Sequence, residues 1–451
     1  MSPVGPAPEE LDALGGPSWL SARRREALKA SAKAAMPSEA EDEWHYSGIA
    51  ALDLDAYAAP APDLAGAPVG LPAAVAGLLE ALGPLAGLAV TVDGIVAEAR
   101  VEPGGGEGIG LSRLADGAEP PPLVAPVDPG GDAVSLLAEA GVRDGVVCSV
   151  APRAVVTLPV VVVHLITAAS DGRLVAPRTF VEVGESAEAT VVELVVSADE
   201  AALVAPASEL RVGANGRLAH LSAQELGANA VQLGSHRALL GRDATLTSFV
   251  AALGGGTARQ RTHAVLAGES AESRMYAVYL ADDHQVLSFR TVQEHVAPRT
   301  VSELVIKGAV AGEARSAYSG LVHLHRGARK SDASQTNRNL VLSEGARADS
   351  VPNLEIEEND VRCSHASAVG PIDAEQRFYL ETRGVPPRVA ERLVLVGFFE
   401  ELLSRAPLAA FADHVREALP ARLAAASLDV DGAGEGGAAR DEATAAQGGP
   451  R

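Results

Sequence analysis

The sequence returns four times to a short turn between residues 184 and 271. The turns read GESA at 184–187, GANG at 213–216, GRDA at 241–244 and GESA at 268–271, and they begin 29, 28 and 27 residues apart. The runs between them are rich in β-branched residues, as in TVVELVVS at 190–197, which favours strands. A near-constant period across successive strands is typical of a repeat architecture. We therefore expect a β-solenoid; the alternative, a β-sandwich, gives no reason for this period.

Helical patterns flank the strand-rich region, which runs from about 146 to 372. Asp373 followed by Gln376 resembles a capping box, and Gly384 is placed to end that helix. Ser18 is a candidate N-cap for the first helix. The expected helices span 18–34, 133–142, 374–383, 387–405 and 408–418. The expected loops are the Pro- and Gly-rich stretches 59–72 and 102–132, and residues 429–451 are expected to be a disordered tail.

Composition excludes several classes of protein. Among 451 residues, 37 Lys and Arg stand against 59 Asp and Glu, a net charge of −22. The sequence pI of about 4.9 argues against nucleic acid or an anionic membrane as the main partner, because both need a basic surface. With only 2 Cys, the chain cannot build a disulfide framework, a four-Cys zinc site or a self-sufficient four-Cys iron–sulfur site.

Targeting and membrane signals are weak. The start, MSPVGPAPEE, has no basic n-region and no apolar h-region. The longest apolar run, at 155–166, contains Thr157, Pro159 and His164 and falls far short of the roughly 20 residues that a membrane helix needs. We expect a soluble cytoplasmic protein without a membrane span.

The sequence lacks the motifs of intrinsic enzymes. No GxSxG, HExxH, CxxC or protein-kinase set occurs. The glycine run GGGEGIG at 104–110 has no following Lys-Ser or Lys-Thr and does not connect a strand to a helix, so a flexible loop is expected rather than a nucleotide site. The chain is therefore predicted not to be an enzyme.

The candidate ligands lie close to the C-terminal end of the strand region. Cys363 and His365 are two residues apart, so in a strand they share one face and could bind iron or zinc. Two ligands are too few for a stable site, and a buried Cys beside a hydrogen-bonded His is the alternative. The pair His323 and His325 is expected on a solvated strand face, and Cys148 is expected to be a buried inert thiol.

The C-terminal half resembles the SufB/SufD family of iron–sulfur cluster assembly proteins. The resemblance rests on KG at 307–308, GEARSAYSG at 312–320, SQ at 334–335, NLVLS at 339–343, PNLEI at 352–356, DVRCSH at 360–365, GPID at 370–373, EQRFYL at 375–380, RG at 383–384 and GF at 397–398. EWHY at 43–46 and LDLD at 52–55 look like the N-terminal motif that is usual in the family.

Within that family the motifs are similar to the SufD type. SufB-type chains carry a Cys directly after the Gln of the SQ motif, where this sequence has Thr336, and they replace the Cys-Ser-His run by one like Glu-His-Glu. One position departs from the SufD pattern: Ala366-Ser367 stands where Gly-Ala is usual, which changes a corner without removing a ligand.

The resemblance implies a mainly β fold, a right-handed parallel β-helix flanked by N- and C-terminal helical domains. The expected domains are 1–132 (helical and mixed), 133–371 (β-helix), 372–428 (helical) and 429–451 (tail). It further implies a non-catalytic scaffold that pairs with a SufB-type paralogue through the β-helix and docks the ABC-type ATPase SufC on its C-terminal helices. In isolation the chain could instead form a homodimer.

The resemblance also implies a site. Transient iron or a nascent cluster would bind at the SufB boundary, with His365 and Cys363 as ligands and SufB supplying the others. ATP would bind to SufC and not to this chain. Leu393, Phe398 and Glu400 are the candidate SufC-docking residues, chosen from helix amphipathicity.

Three other functions are alternatives, one of them a purely structural partner that binds no ligand. A SufB-like primary scaffold is disfavoured by Thr336. A β-helix enzyme acting on polysaccharide would need stacked aromatic residues and paired carboxylates, and the sequence has only 2 Trp, 6 Tyr and 7 Phe.

Overall fold

A computed structural model describes residues 5–41, 44–61, 70–121 and 132–425, with side chains described to residue 419. The expected disordered tail at 429–451 and Glu43 of the EWHY motif lie outside these residues. The α-helices of the described part are α1 (Ser18–Ser31), α2 (Ala73–Leu82), α3 (Ala133–Ala140), α4 (Ala374–Thr382), α5 (Pro387–Leu403) and α6 (Ala409–Ala425).

Helix ends follow local chemistry. The Asp373 carboxylate accepts hydrogen bonds from the backbone N–H groups of Glu375 and Gln376, which confirms the predicted cap of α4. The predicted Ser18 cap is wrong: Ser18 is already helical, and Pro17 with its fixed φ of −69° precedes it without a side-chain hydrogen bond.

The rest of the described chain is mainly strand. In chain order the strands are β1 (Gly87–Val92), β2 (Ile95–Val101), β3 (Ile109–Arg113), β4 (Val146–Val150), β5 (Val160–Leu165), β6 (Leu174–Val175), β7 (Arg178–Val183), β8 (Glu188–Val196), β9 (Leu203–Val204), β10 (Ala207–Val212), β11 (Arg217–Glu225), β12 (Val231–Leu240), β13 (Thr245–Ala252), β14 (Thr257–Leu266), β15 (Glu272–Ala281), β16 (Val286–His295), β17 (Val301–Val310), β18 (Arg315–Leu324), β19 (Asp332–Val341), β20 (Arg347–Ile356) and β21 (Arg362–Gly370).

The strands form a solenoid with two faces. The first sheet runs β2-β1-β5-β8-β11-β13-β15-β17-β19-β21, and the second runs β20-β18-β16-β14-β12-β10-β7-β4-β3. The β1–β2 and β3–β4 pairs are antiparallel, and the pairs along the coils are parallel. The result is a β-solenoid of about eight turns with helices at both ends, as the turn spacing predicts.

The four quoted turns are the corners of successive coils. The third residue of each turn has a left-handed backbone: Ser186, Asn215, Asp243 and Ser270, with φ between 55° and 58°. Each of their N–H groups donates to a carbonyl of the next corner, so the corners form a hydrogen-bonded column. The leading glycine permits the close stacking of coils, because a Cβ on Gly268 would lie 2.0 Å from the backbone nitrogen of Arg242.

Aliphatic side chains fill both the interior and one outer face. Buried residues of the two sheets meet inside the coils, as Val162, Val181 and Leu210 do. The outer face of the first sheet is covered by α2, α5 and α6, whose Val75, Phe399 and Phe411 join its core. Within the described ranges no helix is long and apolar enough to cross a membrane.

Candidate functional site

The final coil of the solenoid is open. Strands β20 and β21 each pair on one side only, and nearly all of their residues are exposed or half-buried. In β21 the N–H of Arg362 donates to Ser331 of the preceding segment. Because the backbone groups of a strand alternate in direction, the N–H and C=O of Cys363, His365, Ser367 and Val369 point away from the solenoid. The end coil thus presents an unpaired strand edge.

A proline in β20 also indicates an unpaired edge. The N–H groups of Arg347 and Glu357 donate to the neighbouring coil, so the nitrogen of Pro352 faces the unpaired edge. A proline is tolerated in a strand where its missing N–H is not needed by the ladder. This explains how PNLEI can be a strand at all.

Cys363 and His365 lie side by side on β21, as their spacing predicts. They stand opposite Ala333 and Gln335 of β19 and face the space between the two sheets. Cys363 is half-buried against Leu324, Ala333 and Leu354. His365 is exposed, because no further coil covers it.

The hydrogen bonding of His365 suits a metal ligand. Its Nδ1 lies 3.1 Å from the carbonyl oxygen of Pro352. A carbonyl can only accept, so Nδ1 carries the proton and Nε2 keeps a free lone pair. A backbone carbonyl that holds one ring nitrogen is the usual support of a metal-ligating imidazole.

The Cys363 thiol is not activated within this chain. Partial burial, and then the charge of Asp332, raise the pKa of Cys363 above its ordinary value. A thiolate would therefore need a cation or metal brought close to it. Cys148 is fully buried, and burial raises its pKa to about 12, which fits the predicted inert thiol.

The pair is an incomplete ligand set. Among the described residues, no group of three possible metal ligands includes Cys363 or His365. The structure does bring the carbonyl of Pro352 to His365. This contact could not be predicted from the sequence, because it depends on how β20 faces β21.

The C-terminal helices separate the three predicted docking residues. Leu393 is 49% exposed. Phe398 instead packs on the core of the first sheet, with its ring 4.6 Å from Nζ of Lys307. The Glu400 carboxylate accepts hydrogen bonds of 2.8 and 2.9 Å from Arg416. Only Leu393 of the three is a free apolar surface residue.

Other exposed apolar side chains lie on the same two helices as Leu393 or beside it in sequence. Helix α4 has no buried residue and packs against α5, to which the Arg377–Glu391 ion pair joins it. Its Phe378 and Tyr379 are 66% and 58% exposed. Val389 and Leu393, one turn apart on α5, extend the same apolar character. We call Phe378, Tyr379, Val389 and Leu393 the helical patch.

The glycine run at 104–110 connects β2 to β3, a strand-to-strand connection. A Cβ on Gly105 would lie 2.2 Å from the carbonyl oxygen of Ala86, so this glycine serves close packing. The prediction that it is not a phosphate loop agrees with this connectivity.

The chain matches one protein family and is similar to several known proteins. The family described as "SUF system FeS cluster assembly, SufBD core domain" matches residues 164–398, just over half of the chain. An iron–sulfur cluster assembly SufBD family protein of Mycobacterium tuberculosis is 39% identical over 203 residues, 43% of this chain and 50% of that protein.

Two proteins named SufD are also similar. The iron–sulfur cluster assembly protein SufD of Escherichia coli is 33% identical over 42% of this chain and 45% of its own length. The SufD of Bacillus subtilis is 32% identical over 37% of this chain and 38% of its own length. The chain spans about half the length, or less, of these relatives. The family match covers most of the solenoid and the Cys-Ser-His strand, and the chain belongs to the SufBD family.

Proposed function

We propose that the chain is a non-catalytic, SufD-like scaffold subunit in iron–sulfur cluster assembly. The observation that carries the proposal is the open final coil, which presents Cys363 and His365 as two ligands without a third. Thiolate and imidazole suit iron, whose sites need further donors. A second chain docked on this edge would supply them, and iron or the nascent cluster is the cargo of the joint site.

The partner on this edge is a SufB-type paralogue. The edge offers outward N–H and C=O groups from Cys363 to Val369, and a strand of another chain can pair with them by β-augmentation. Pairing in this way would continue the solenoid into the partner and place the partner's side chains beside His365. Relatives named SufD and SufBD support this choice of partner.

The pairing is tested by co-expressing the chain with its SufB-type and SufC-type partners. Val369→Pro removes an N–H that the solenoid itself does not use, so the isolated variant should fold with unchanged circular dichroism. It should lose SufB on co-purification, whereas Val369→Thr, which keeps the N–H, should retain it. Equal recovery of SufB with both variants refutes edge pairing. A homodimer of the wild-type chain abolished by the same Pro variant would instead assign the edge to self-association.

The SufC-type ATPase would dock on the helical patch. Four large apolar side chains lie exposed on two adjacent helices, one of which buries nothing within its own chain. Leu393→Asp should abolish co-purification of SufC, whereas Arg392→Ala, at an exposed neighbouring position, should preserve it. Unchanged SufC recovery with Leu393→Asp would place the dock elsewhere. ATP binding belongs to SufC in this scheme.

A further inference from the structure

A cluster of imidazoles and carboxylates lies on the outer face of the second sheet, near the open end. Glu294 of β16 is in register with His323 of β18, which is in register with Glu355 of β20. His325 follows two residues later, and Leu324 between the two histidines points into the core. The row therefore faces outward, opposite to the inward face that holds His365.

The two imidazoles are close, and the Nε2 atom of each is without a hydrogen-bond partner among the described residues. Their ring centroids are 3.7 Å apart. Nε2 of His323 and Nε2 of His325 are both buried, and neither has a hydrogen-bond partner within the described structure. The nearest carboxylate oxygens of Glu355 and Glu357 lie 3.9 and 3.8 Å from Nε2 of His323, beyond hydrogen-bond length. Buried polar nitrogens left without partners are costly, so a group bridging them to the carboxylates would stabilise the cluster.

The spacing fits a metal ion. One ligand atom from each of Glu294, His323 and His325 lies within 4.8 Å of the others, and the same holds for His323, Glu355 and Glu357. Bonds of about 2.0–2.1 Å to one ion would put neighbouring ligand atoms roughly 3.3 Å apart. Glu355 and Glu357 are 57% and 40% exposed, so their side chains can rotate inward to close that difference.

We propose that this face binds one divalent transition-metal ion of borderline softness, such as Fe²⁺, Zn²⁺ or Co²⁺. His323, His325 and Glu294 are the protein ligands, and Glu355 or Glu357 completes the set. Two imidazoles disfavour Ca²⁺ and Mg²⁺, which take oxygen ligands, and the absence of sulfur from the cluster disfavours Cu⁺. The ligand set is therefore two imidazoles and two carboxylates, a nitrogen and oxygen donor set that suits these ions.

The competing explanation is a network of ion pairs. Nε2 of His263 lies 3.4 Å from a carboxylate oxygen of Glu294, so Glu294 already has one neighbour. That contact occupies one side of Glu294 and leaves both Nε2 atoms of His323 and His325 without a partner. The network alone therefore does not explain the close approach of the two imidazoles.

The test is an anaerobic titration of the untagged, chelator-treated full-length chain with Co²⁺. We expect one tight equivalent, visible in the d–d absorption of Co²⁺ with nitrogen and oxygen ligands and without a thiolate charge-transfer band. His325→Ala should weaken binding at least tenfold, while Cys363→Ser and the exposed control His284→Ala should leave it unchanged. If His325→Ala does not fold, the double variant Glu355→Gln/Glu357→Gln, at exposed edge positions, should weaken binding instead.

Three outcomes would overturn the proposal: no stoichiometric Co²⁺ binding, binding that persists in every cluster variant, or a thiolate band that disappears in Cys363→Ser. Because the titration uses the isolated chain, it does not depend on the proposed scaffold function. Loss of SufB pairing would leave this site intact, and loss of this site would leave edge pairing intact.

Discussion

The ammonium of Lys307 lies 2.7 Å from a carboxylate oxygen of Glu401 and joins helix α5 to the solenoid. Lys307 is buried on the outer face of β17, and it also donates to the carbonyl of Phe398 at 2.7 Å. The hydrogen bond from Lys307, which outweighs the effect of desolvation, lowers the pKa of Glu401 below its ordinary value. The KG motif therefore holds in place the helix that carries Leu393.

Lys307→Met should loosen that contact. The methionine keeps most of the buried volume but leaves the Phe398 carbonyl and Glu401 without their donor, so we expect a loss of about 1–3 kcal/mol in the free energy of unfolding. Glu401→Gln should cost less than about 1 kcal/mol, because more than half of that side chain is exposed. Urea unfolding measures the stability of both variants. Equal losses would show that the buried ammonium contributes no more to stability than the exposed carboxylate.

Gly308 should not tolerate a side chain. A Cβ there would lie 1.9 Å from Cζ of Tyr279, whose hydroxyl is hydrogen-bonded to Asn339 at 2.6 Å and whose ring stacks on Phe289. Gly308→Ala should therefore cost about 3 kcal/mol or more, and markedly less in a Tyr279→Leu background. The control Gly397→Ala meets open space in a helix and should stabilise by about 0.5–1 kcal/mol. Additive effects of Gly308→Ala and Tyr279→Leu would rule out the steric explanation.

Glu193 should make stability depend on pH. Its carboxylate is buried inside the coils and accepts hydrogen bonds from His164, Thr179, Ser208 and His220. Burial alone would raise the pKa of Glu193, but the hydrogen bonds from the two histidines outweigh it and hold the pKa well below its ordinary range. A lowered carboxylate pKa stabilises the fold above the unfolded value of about 4.3, and this stability is lost as the pH falls below it.

Glu193→Gln tests this directly. The amide NH₂ of the glutamine cannot accept the hydrogen bonds that the carboxylate oxygen accepted. We therefore expect the free energy of unfolding to fall by about 2–4 kcal/mol at pH 7. The difference from wild type should shrink as the pH falls below about 4, and the exposed control Glu188→Gln on the same strand should show little effect. Urea midpoints between pH 3 and pH 7 provide the measurement. A difference that stays constant with pH would mean that the carboxylate is not ionised in the folded protein.

The two cysteines should differ in reactivity. Maleimide should modify Cys363 slowly in the isolated folded chain, because partial burial raises its pKa, and should reach Cys148 only after unfolding. In the proposed complex with a SufB-type partner, Cys363 should become protected. Mass spectrometry of peptides after timed labelling gives the rates. Labelling of Cys363 at the same rate in the complex would place the interface elsewhere.

Much of the fold could be predicted from the sequence, because the coil is a local repeat. The spacing of the corner turns reports each coil, and the Asp373 cap is decided within four residues. The left-handed Ser186 and Ser270 were not predictable, since their N–H groups bond to a corner about 28 residues away. Hydrogen bonding between adjacent coils overrides the preference of Ser for other conformations.

For the site, the sequence predicted only which side chains share a face of one strand. The shared face of Cys363 and His365 follows from alternation, whereas the row of Glu294, His323 and Glu355 depends on the register of three strands. The sequence also does not indicate which face of α5 is exposed, because apolar residues lie on all sides of the helix: Val394, Leu395, Val396, Phe398 and Phe399. The contact with Lys307 turns Phe398 inward, which no helical pattern could indicate.

The most direct measurement uses the His365→Ala variant co-expressed with its proposed SufB-type and SufC-type partners. It determines the iron and acid-labile sulfide content of the purified complex. If the open coil supplies a cluster ligand, both contents should fall at least severalfold while the three chains still co-purify in equal amounts. The matched control Ser364→Ala, the next residue on the opposite face of β21, should retain wild-type content. Wild-type iron and sulfide in an intact His365→Ala complex would contradict the assignment of this end of the solenoid as half of a shared cluster site.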